Sequence, residues 1–151
     1  VNAYYEDGAI YVTNEQSNDM DMIDDIIHEI AHACEEMYMD QIYGDGMIVR
    51  EFTAKRNNLA VILKDLYELP KNFTNKVEYD KRIDDFLHGE IGYDVLNQLV
   101  VGIFPSAYAA TSVNEYFARG FEEFFIGDRK NLKNTCQVLY RVLYSLISTE
   151  D

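Results

Sequence analysis

The first fifteen residues have the short alternating pattern of a β-hairpin. Residues 9–13, AIYVT, are rich in side chains that favour strands, and Asp7-Gly8 is a dipeptide that tolerates the positive φ of a tight turn. We therefore predict a hairpin over residues 2–15, NAYYEDGAIYVTNE. The loop that follows contains Ser17, Asn18 and Asp19, which are good N-caps for a helix.

Beyond the hairpin, apolar residues recur at the three- and four-residue spacing of helices. The predicted helices cover residues 19–39, 49–68, two short segments within 71–104, 113–126 and 130–148. The predicted helix ends are YGDGM after the first, Pro70 after the second, His88-Gly89 and Gly92 in the middle region, and Gly127 before the last. In the last helix, a core-facing stripe is formed by Leu132, Cys136, Leu139, Leu143 and Ile147.

These elements predict an α+β fold, with a small sheet at the front and helices behind it. The chain of 151 residues suits one domain over residues 1–151, and it contains no repeat, low-complexity tract or linker. It begins with Val1 rather than Met, so we expect a fragment or the mature part of a longer precursor.

The chain is strongly acidic, and its charge is unevenly distributed along the sequence. The net charge is −14, and residues 1–49 carry 12 acidic residues and no Lys or Arg. This surface would repel a phosphate backbone, so we expect no nucleic-acid partner. It would attract a cationic peptide, although a solvated surface that keeps the protein soluble explains the charge equally well. The longest apolar run, LVVGIF, is far below the roughly 18 residues that span a membrane, so no span is expected.

The two cysteines, Cys34 and Cys136, belong to no CxxC pair, so they do not form a zinc cluster. Each falls on an apolar helical stripe, which favours buried thiols. A single disulfide is the alternative if the protein is exported.

The segment 24–36, DDIIHEIAHACEE, has the chemistry of a metal site. His28 and His32 are four residues apart, so on a helix they lie one turn above each other and both reach one ion. Glu29 is rotated about 100° from His28 and about 60° from His32, which suits a general base beside the ion. The alternative is that the histidines pack or pair with neighbouring acids. The third histidine, His88, is expected to be structural at a helix end.

The remaining ligand should be a carboxylate, and two candidates begin an E-x-x-A sequence. Glu51 opens EFTA and lies nearer to His32 in the chain, which favours it. Glu115 opens EYFA and follows a loop that contains Tyr108, whose phenol would reach across a cleft. Glu115 would otherwise form a capping box with Ser112. We predict Glu115 as the ligand and keep Glu51 as the reserve.

Residues 108–125, YAATSVNEYFARGFEEFF, resemble the zinc-glutamate segment of the anthrax lethal factor family of bacterial zinc endopeptidases, which have the gluzincin form of the metalloprotease fold. In that family a tyrosine lies seven residues before the ligand glutamate, as Tyr108 does here before Glu115. The resemblance covers roughly residues 22–151, unevenly. It departs in the longer segment between His32 and Glu115, and in Arg119, which occupies a position where an acidic residue is expected.

The resemblance implies a zincin-like domain with one zinc ion held by His28, His32 and Glu115. Glu29 would be the base and Tyr108 the donor that stabilises the transition state. The implied function is a secreted bacterial endopeptidase that cleaves extended peptides with basic residues near the scissile bond, and we expect a monomer. The substrate would pair with the edge strand 9–13. The alternatives are a catalytically silent docking module, as occurs in the family, and a metal hydrolase that acts on other substrates.

Overall fold

A computed structural model describes residues 3–12 and 19–148 of the chain. In these ranges the protein is mostly helical with a small antiparallel sheet, which is α+β in the broad sense. The strands and α-helices are β1 (Ala3–Glu6), β2 (Ala9–Val12), α1 (Asp19–Met37), α2 (Met39–Tyr43), α3 (Met47–Leu63), α4 (Lys81–Asp84), α5 (Tyr93–Leu99), α6 (Val113–Ile126), α7 (Arg129–Thr135) and α8 (Gln137–Ser148). A π-helical segment, Asp85–Ile91, links α4 to α5, and a 3₁₀ turn, Tyr108–Ala110, precedes α6.

The predicted hairpin is confirmed over its described residues. β1 and β2 pair antiparallel, with Glu6 opposite Ala9, and both turn residues have positive φ, 51° at Asp7 and 81° at Gly8. This two-residue turn matches the twist of the strands it joins. The hairpin packs against α1, so the small sheet lies beside the helix that contains His28. The N-cap candidates Ser17 and Asn18, and the predicted hairpin residues 2 and 13–15, lie outside the described residues.

The predicted helices 113–126 and 19–39 are confirmed with small differences in length. α6 covers Val113–Ile126 as predicted, and α1 begins at Asp19 but ends two residues early. α3 begins earlier than predicted, because Gly46 adopts a positive φ of 74° and turns the chain directly into it. It also ends at Leu63, so residues 64–68 form a turn and irregular backbone rather than helix.

The predicted break at His88-Gly89 is wrong. Both residues lie inside the π-helical segment Asp85–Ile91, where Phe86, Leu87 and Ile91 are buried. Burial of these apolar side chains stabilises the π-helical segment across Gly89, which has no positive φ. The second predicted break is confirmed, since Gly92 has a φ of 88° and separates this segment from α5.

The last predicted helix, 130–148, is divided at Cys136 into α7 and α8. The division is stabilised by Glu51, whose carboxylate accepts hydrogen bonds from the amides of Val138 and Leu139 at 2.8 and 3.2 Å and so caps α8. Of the predicted stripe, four residues are buried: Leu132, Cys136, Leu139 and Leu143. Ile147 is 40% exposed, so its assignment to the core is wrong.

The alternative of a disulfide is wrong, because Cys34 and Cys136 are both thiols. Cys136 is buried, as predicted, whereas Cys34 is only half-buried. In the part of the chain that the structure describes, no helix has the length and apolar character to cross a membrane.

The close approach of α6 to α8 allows a test of the packing. A Cβ atom at Gly120 would overlap Cδ2 of Leu139 and lie 2.8 Å from its Cγ, and Leu139 is fully buried and cannot move away freely. We expect Gly120→Ala to lower the free energy of unfolding by about 1–3 kcal/mol, measured by urea denaturation.

Gly89→Ala is the matched control, because a Cβ atom there meets nothing within 4 Å. It should leave the free energy of unfolding unchanged or raise it by up to about 1 kcal/mol. Equal stability of the two variants would contradict the close packing of α6 against α8.

Candidate metal centre

The three predicted ligands come together where α1 packs against α6. Glu115 Oε2 lies 2.9 Å from His28 Nε2, and Glu115 Oε1 lies 3.3 Å from His32 Nε2. One ligand atom from each of the three side chains can be chosen so that all lie within 4.8 Å of one another. All three residues are half-buried. Residues 83 positions apart in the chain, His32 and Glu115, are therefore neighbours in the fold.

Local helix geometry presents these side chains. His28 and His32 lie one turn apart on α1, with ring centroids 4.8 Å apart and ring planes nearly perpendicular at 86°. Glu115 occupies the first turn of α6, and its amide donates to the Ser112 hydroxyl at 3.2 Å. The capping box proposed as the alternative is therefore only half formed. Ser112 caps the helix, while the carboxylate of Glu115 faces the imidazoles.

A second carboxylate contacts the imidazole of His28 at its other ring nitrogen, Nδ1. Its Nδ1 lies 2.6 Å from Oε1 of Glu122, a residue that is 7% exposed. The other oxygen of Glu122 accepts a hydrogen bond from Arg119 Nη1 at 2.6 Å. Glu122 lies two turns after Glu115 on the same face of α6, so both carboxylates reach the imidazole of His28.

His32 has the same arrangement with a carboxylate from its own helix. Its Nδ1 lies 3.4 Å from Oε1 of Glu35, which is 6% exposed. The second oxygen of Glu35 accepts hydrogen bonds from the Tyr43 hydroxyl and, at 3.0 Å, from the Asn114 side-chain amide. A carboxylate at each Nδ1 favours a proton on that atom, so when the imidazole is neutral its Nε2 lone pair faces Glu115.

The close approach of Glu115 to the imidazoles shifts all three pKa values. Burial by itself lowers the pKa of both histidines, but their hydrogen bonds to carboxylates and the negative charges outweigh it and raise the pKa of His28 to about 9 and that of His32 to about 10. Burial raises the pKa of Glu115, but the two imidazoles outweigh it and lower that pKa to about 2. The carboxylate therefore requires positive charge beside it, from two protons or from a cation.

A divalent cation such as zinc fits these residues. Two imidazole nitrogens and a carboxylate oxygen are ligands that zinc prefers. Oε2 of Glu115 is buried and makes no hydrogen bond of acceptable geometry, although it lies close to His28. An unsatisfied buried carboxylate oxygen is costly, and coordination to a cation would satisfy it.

Of the two residues predicted to take part in catalysis, Tyr108 lies beside this cluster and Glu29 follows His28 on α1. Glu29 is half-buried on α1, and its side chain forms no hydrogen bond or ion pair with any residue that the structure describes. Tyr108 lies in the 3₁₀ turn before α6, is 40% exposed, and has its ring 6.0 Å from the ring of His28. Burial and the Glu115 carboxylate raise the pKa of Tyr108, so its phenol remains a proton donor. The catalytic roles of both residues stay predictions.

Two other sequence candidates lie outside the cluster. Glu51, the reserve ligand, accepts a hydrogen bond from the Tyr116 hydroxyl at 2.7 Å and caps α8. Its carboxylate is therefore engaged by α6 and α8. His88 is exposed and contacts the ring of Tyr93, with centroids 4.9 Å apart, and it is not part of the His28, His32 and Glu115 group.

The alternative that the histidines pair with neighbouring acids holds for His32, which pairs with Glu35, but sequence reasoning did not identify Glu122 beside His28. Glu35 and Glu122 lie at helical spacing from His32 and Glu115, which is a signal, but the spacing alone does not tell which acidic residues turn inwards. Tyr93, whose ring lies 6.2 Å from that of Tyr108 and whose hydroxyl donates to Asp84 at 3.4 Å, gave no signal in the sequence.

In comparisons with known proteins, no family model, no curated protein and no solved structure matches this chain.

Substitution of the two candidate glutamates separates their roles. We expect Glu115→Gln to lose most bound zinc, because it removes the anionic ligand, and to leave the helical content unchanged. We expect Glu51→Gln to keep zinc but to lower the free energy of unfolding by about 1–2 kcal/mol, because it weakens the α8 cap. Zinc content after dialysis and urea denaturation measure the two effects. Loss of zinc only in the Glu51 variant would contradict the assignment.

Proton release on metal binding provides an independent test. The raised pKa values of His28 and His32 mean that both are protonated at pH 7 in the metal-free protein, so a cation must displace both protons. We expect about two protons released per zinc at pH 7, and an affinity that tightens by up to about 100-fold per pH unit below pH 9. Calorimetry in buffers of different ionisation enthalpy gives the proton count. A count near zero would contradict this electrostatic account.

Proposed function

We propose that the protein is a zinc-dependent endopeptidase with a zincin-like domain of the gluzincin type. The observation that carries the proposal is the convergence of His28, His32 and Glu115, each with an atom that suits a zinc ligand. The position of Glu29 on the same helix and the proximity of Tyr108 to His28 support peptide hydrolysis rather than a structural metal.

One zinc ion per chain would be held by His28 Nε2, His32 Nε2 and the carboxylate of Glu115. When bound at a centre with three protein ligands, zinc polarises a carbonyl group and makes water acidic enough to lose a proton near neutral pH. Glu122 and Glu35 keep the two imidazoles in the orientation that binding needs, since each carboxylate accepts a hydrogen bond from the Nδ1 atom of one histidine.

Glu29 acts as general base and then as general acid. Its carboxylate accepts a proton from the water whose oxygen attacks the scissile carbonyl carbon. As the bond to the amide nitrogen breaks, Glu29 returns that proton to the departing amine. A carboxylate that forms no hydrogen bond or ion pair with the described residues is suited to this exchange, because none of those residues competes for its oxygens.

Tyr108 stabilises the charge that develops on the carbonyl oxygen. Its hydroxyl remains protonated, because burial and the Glu115 carboxylate raise its pKa. Its partial exposure keeps it accessible to a peptide. A preorganised donor of this kind contributes about 3 kcal/mol to the transition state.

The substrate would be an extended peptide that adds to the edge of the hairpin. β2 lies beside α1 and is the described part of the predicted edge strand 9–13. The excess of acidic residues over the first third of the chain favours a cationic peptide. We further propose a secreted bacterial enzyme that acts as a monomer, as the family resemblance implies. A catalytically silent docking module would have no use for Glu29 and Tyr108 beside the ligands, so we favour the enzyme.

Glu29→Gln tests the base. The variant should keep one zinc per chain, because Glu29 is not a ligand, and should lose nearly all cleavage of a peptide library, because an amide cannot accept the proton. Asp24→Asn is the matched control. It removes the same charge from an exposed position on α1 and should keep both zinc and activity. Cleavage by the Glu29 variant at the parental rate would refute the base assignment.

Tyr108→Phe tests the donor. We expect kcat to fall by about 100- to 1,000-fold while KM and zinc content stay near the parental values, because the hydroxyl acts on charge that exists only in the transition state. Steady-state kinetics with one cleavable peptide give the two constants. A variant that raises KM with unchanged kcat would show that Tyr108 only binds substrate.

A further inference from the structure

Arg56 of α3 is a buried cation that, among the described residues, bonds to main-chain carbonyls. It is 1% exposed, and its guanidinium donates four hydrogen bonds to main-chain carbonyls. The acceptors are Ala110 O at 2.7 Å, Thr111 O at 3.0 Å, Phe73 O at 2.6 Å and Lys76 O at 3.3 Å.

No carboxylate in the described chain forms an ion pair with this guanidinium. Its charge is stabilised instead by the carbonyl dipoles and by the rings of Phe52 and Phe73, whose centroids lie 5.0 and 4.8 Å from Cζ. Burial lowers the pKa of Arg56 to about 10, against the opposing effect of the charge of Asp80, so the side chain remains charged at neutral pH. Burying such a charge is costly, and the four carbonyls offset this cost only when all of them are in place.

Two of those carbonyls belong to the segment that presents the metal centre. Residues 107 and 109–113 are all buried, and Tyr108 is the exposed residue among them. Ala110 ends the 3₁₀ turn that begins at Tyr108. Thr111 immediately precedes Ser112, the N-cap of α6, and Glu115 follows in the first turn. Arg56 therefore fixes the backbone between the predicted transition-state donor and the predicted carboxylate ligand.

The other two carbonyls belong to the long connection between α3 and α4. Phe73 and Lys76 lie on this connection, and the next residue, Val77, accepts a hydrogen bond from the amide of Val113 at 2.8 Å. The guanidinium thus joins the connection, α3 and the start of α6 at one point. A planar group with several N–H donors can bond to both segments at once, which a lysine ammonium on a flexible stem cannot do with the same geometry.

We propose that Arg56 is a positioning residue for the metal centre, which holds Tyr108 and Glu115 in the binding arrangement before any metal arrives. The inference rests on the proposed zinc function. In this proposal Arg56, which lies on α3 and outside the ligand cluster, determines the placement of two of the site residues.

Arg56→Lys tests the proposal, because it keeps the charge but not the planar array of donors. We expect the variant to bind zinc at least about tenfold more weakly than the parent, as is typical when a residue that supports the ligands is changed. In the cobalt-substituted protein the visible absorption bands should shift, because the position of the Glu115 carboxylate changes. Both are measured at a temperature at which circular dichroism shows the variant to be folded.

Leu59→Ala is the control for stability alone. Leu59 lies one turn after Arg56 on α3 and is fully buried, so its truncation destabilises the fold without removing a hydrogen bond. We expect its zinc affinity to stay within about twofold of the parent. Equal zinc affinity in the Arg56 variant and the parent would overturn the proposal, and so would equal weakening in the Leu59 variant.

Hydrogen exchange on the unaltered, metal-free protein tests the same proposal without a substitution. The amides of Thr111 and Val113 are bonded to Tyr108 O and Val77 O. If Arg56 positions this segment in advance, both should exchange as slowly as the most protected amides of α3. Exchange about 100-fold faster than those amides would overturn the proposal. Absence of zinc binding by the parent would refute the proposed function, whereas the exchange result does not depend on metal and so tests the positioning of this segment separately.

Discussion

The packing of α1 against α6 brings one carboxylate between two imidazoles, and the rest of the site depends on this contact. Glu115 lies 2.9 Å from His28 Nε2 and 3.3 Å from His32 Nε2 in a half-buried place. A carboxylate and two lone pairs at such distances repel one another unless positive charge lies between them. In the metal-free chain two protons supply this charge. A divalent cation would supply it equally well through the same three side chains.

The residues around the cluster orient the histidines so that a cation could replace the two protons. Glu122 and Glu35 are buried carboxylates, and each faces the Nδ1 atom of one histidine. They are fixed in turn by donors from other parts of the fold, Arg119 for Glu122 and Asn114 and Tyr43 for Glu35. Burial of so many charges is unfavourable unless each has its partner, so the network is specific to one arrangement of α1 and α6.

The sequence predicted the local features well and the long-range ones less well. The turn at Asp7-Gly8, the helix 113–126 and the pairing of His28 with His32 follow from neighbouring residues, so local geometry determined them. The choice between Glu51 and Glu115 depended on which helix lies beside α1, and periodicity does not contain that information. For the same reason the division at Cys136 was missed, because it depends on a cap that Glu51 provides from α3.

The central claim is that His28, His32 and Glu115 bind one divalent cation together. X-ray absorption spectroscopy of the protein loaded with one equivalent of zinc tests it most directly, because the spectrum reports the ligand atoms and their distances. The account predicts a four-coordinate shell of nitrogen and oxygen at about 2.0–2.2 Å, with the outer-shell scattering of two imidazoles. A spectrum of zinc surrounded only by water oxygens, without imidazole scattering, would contradict it.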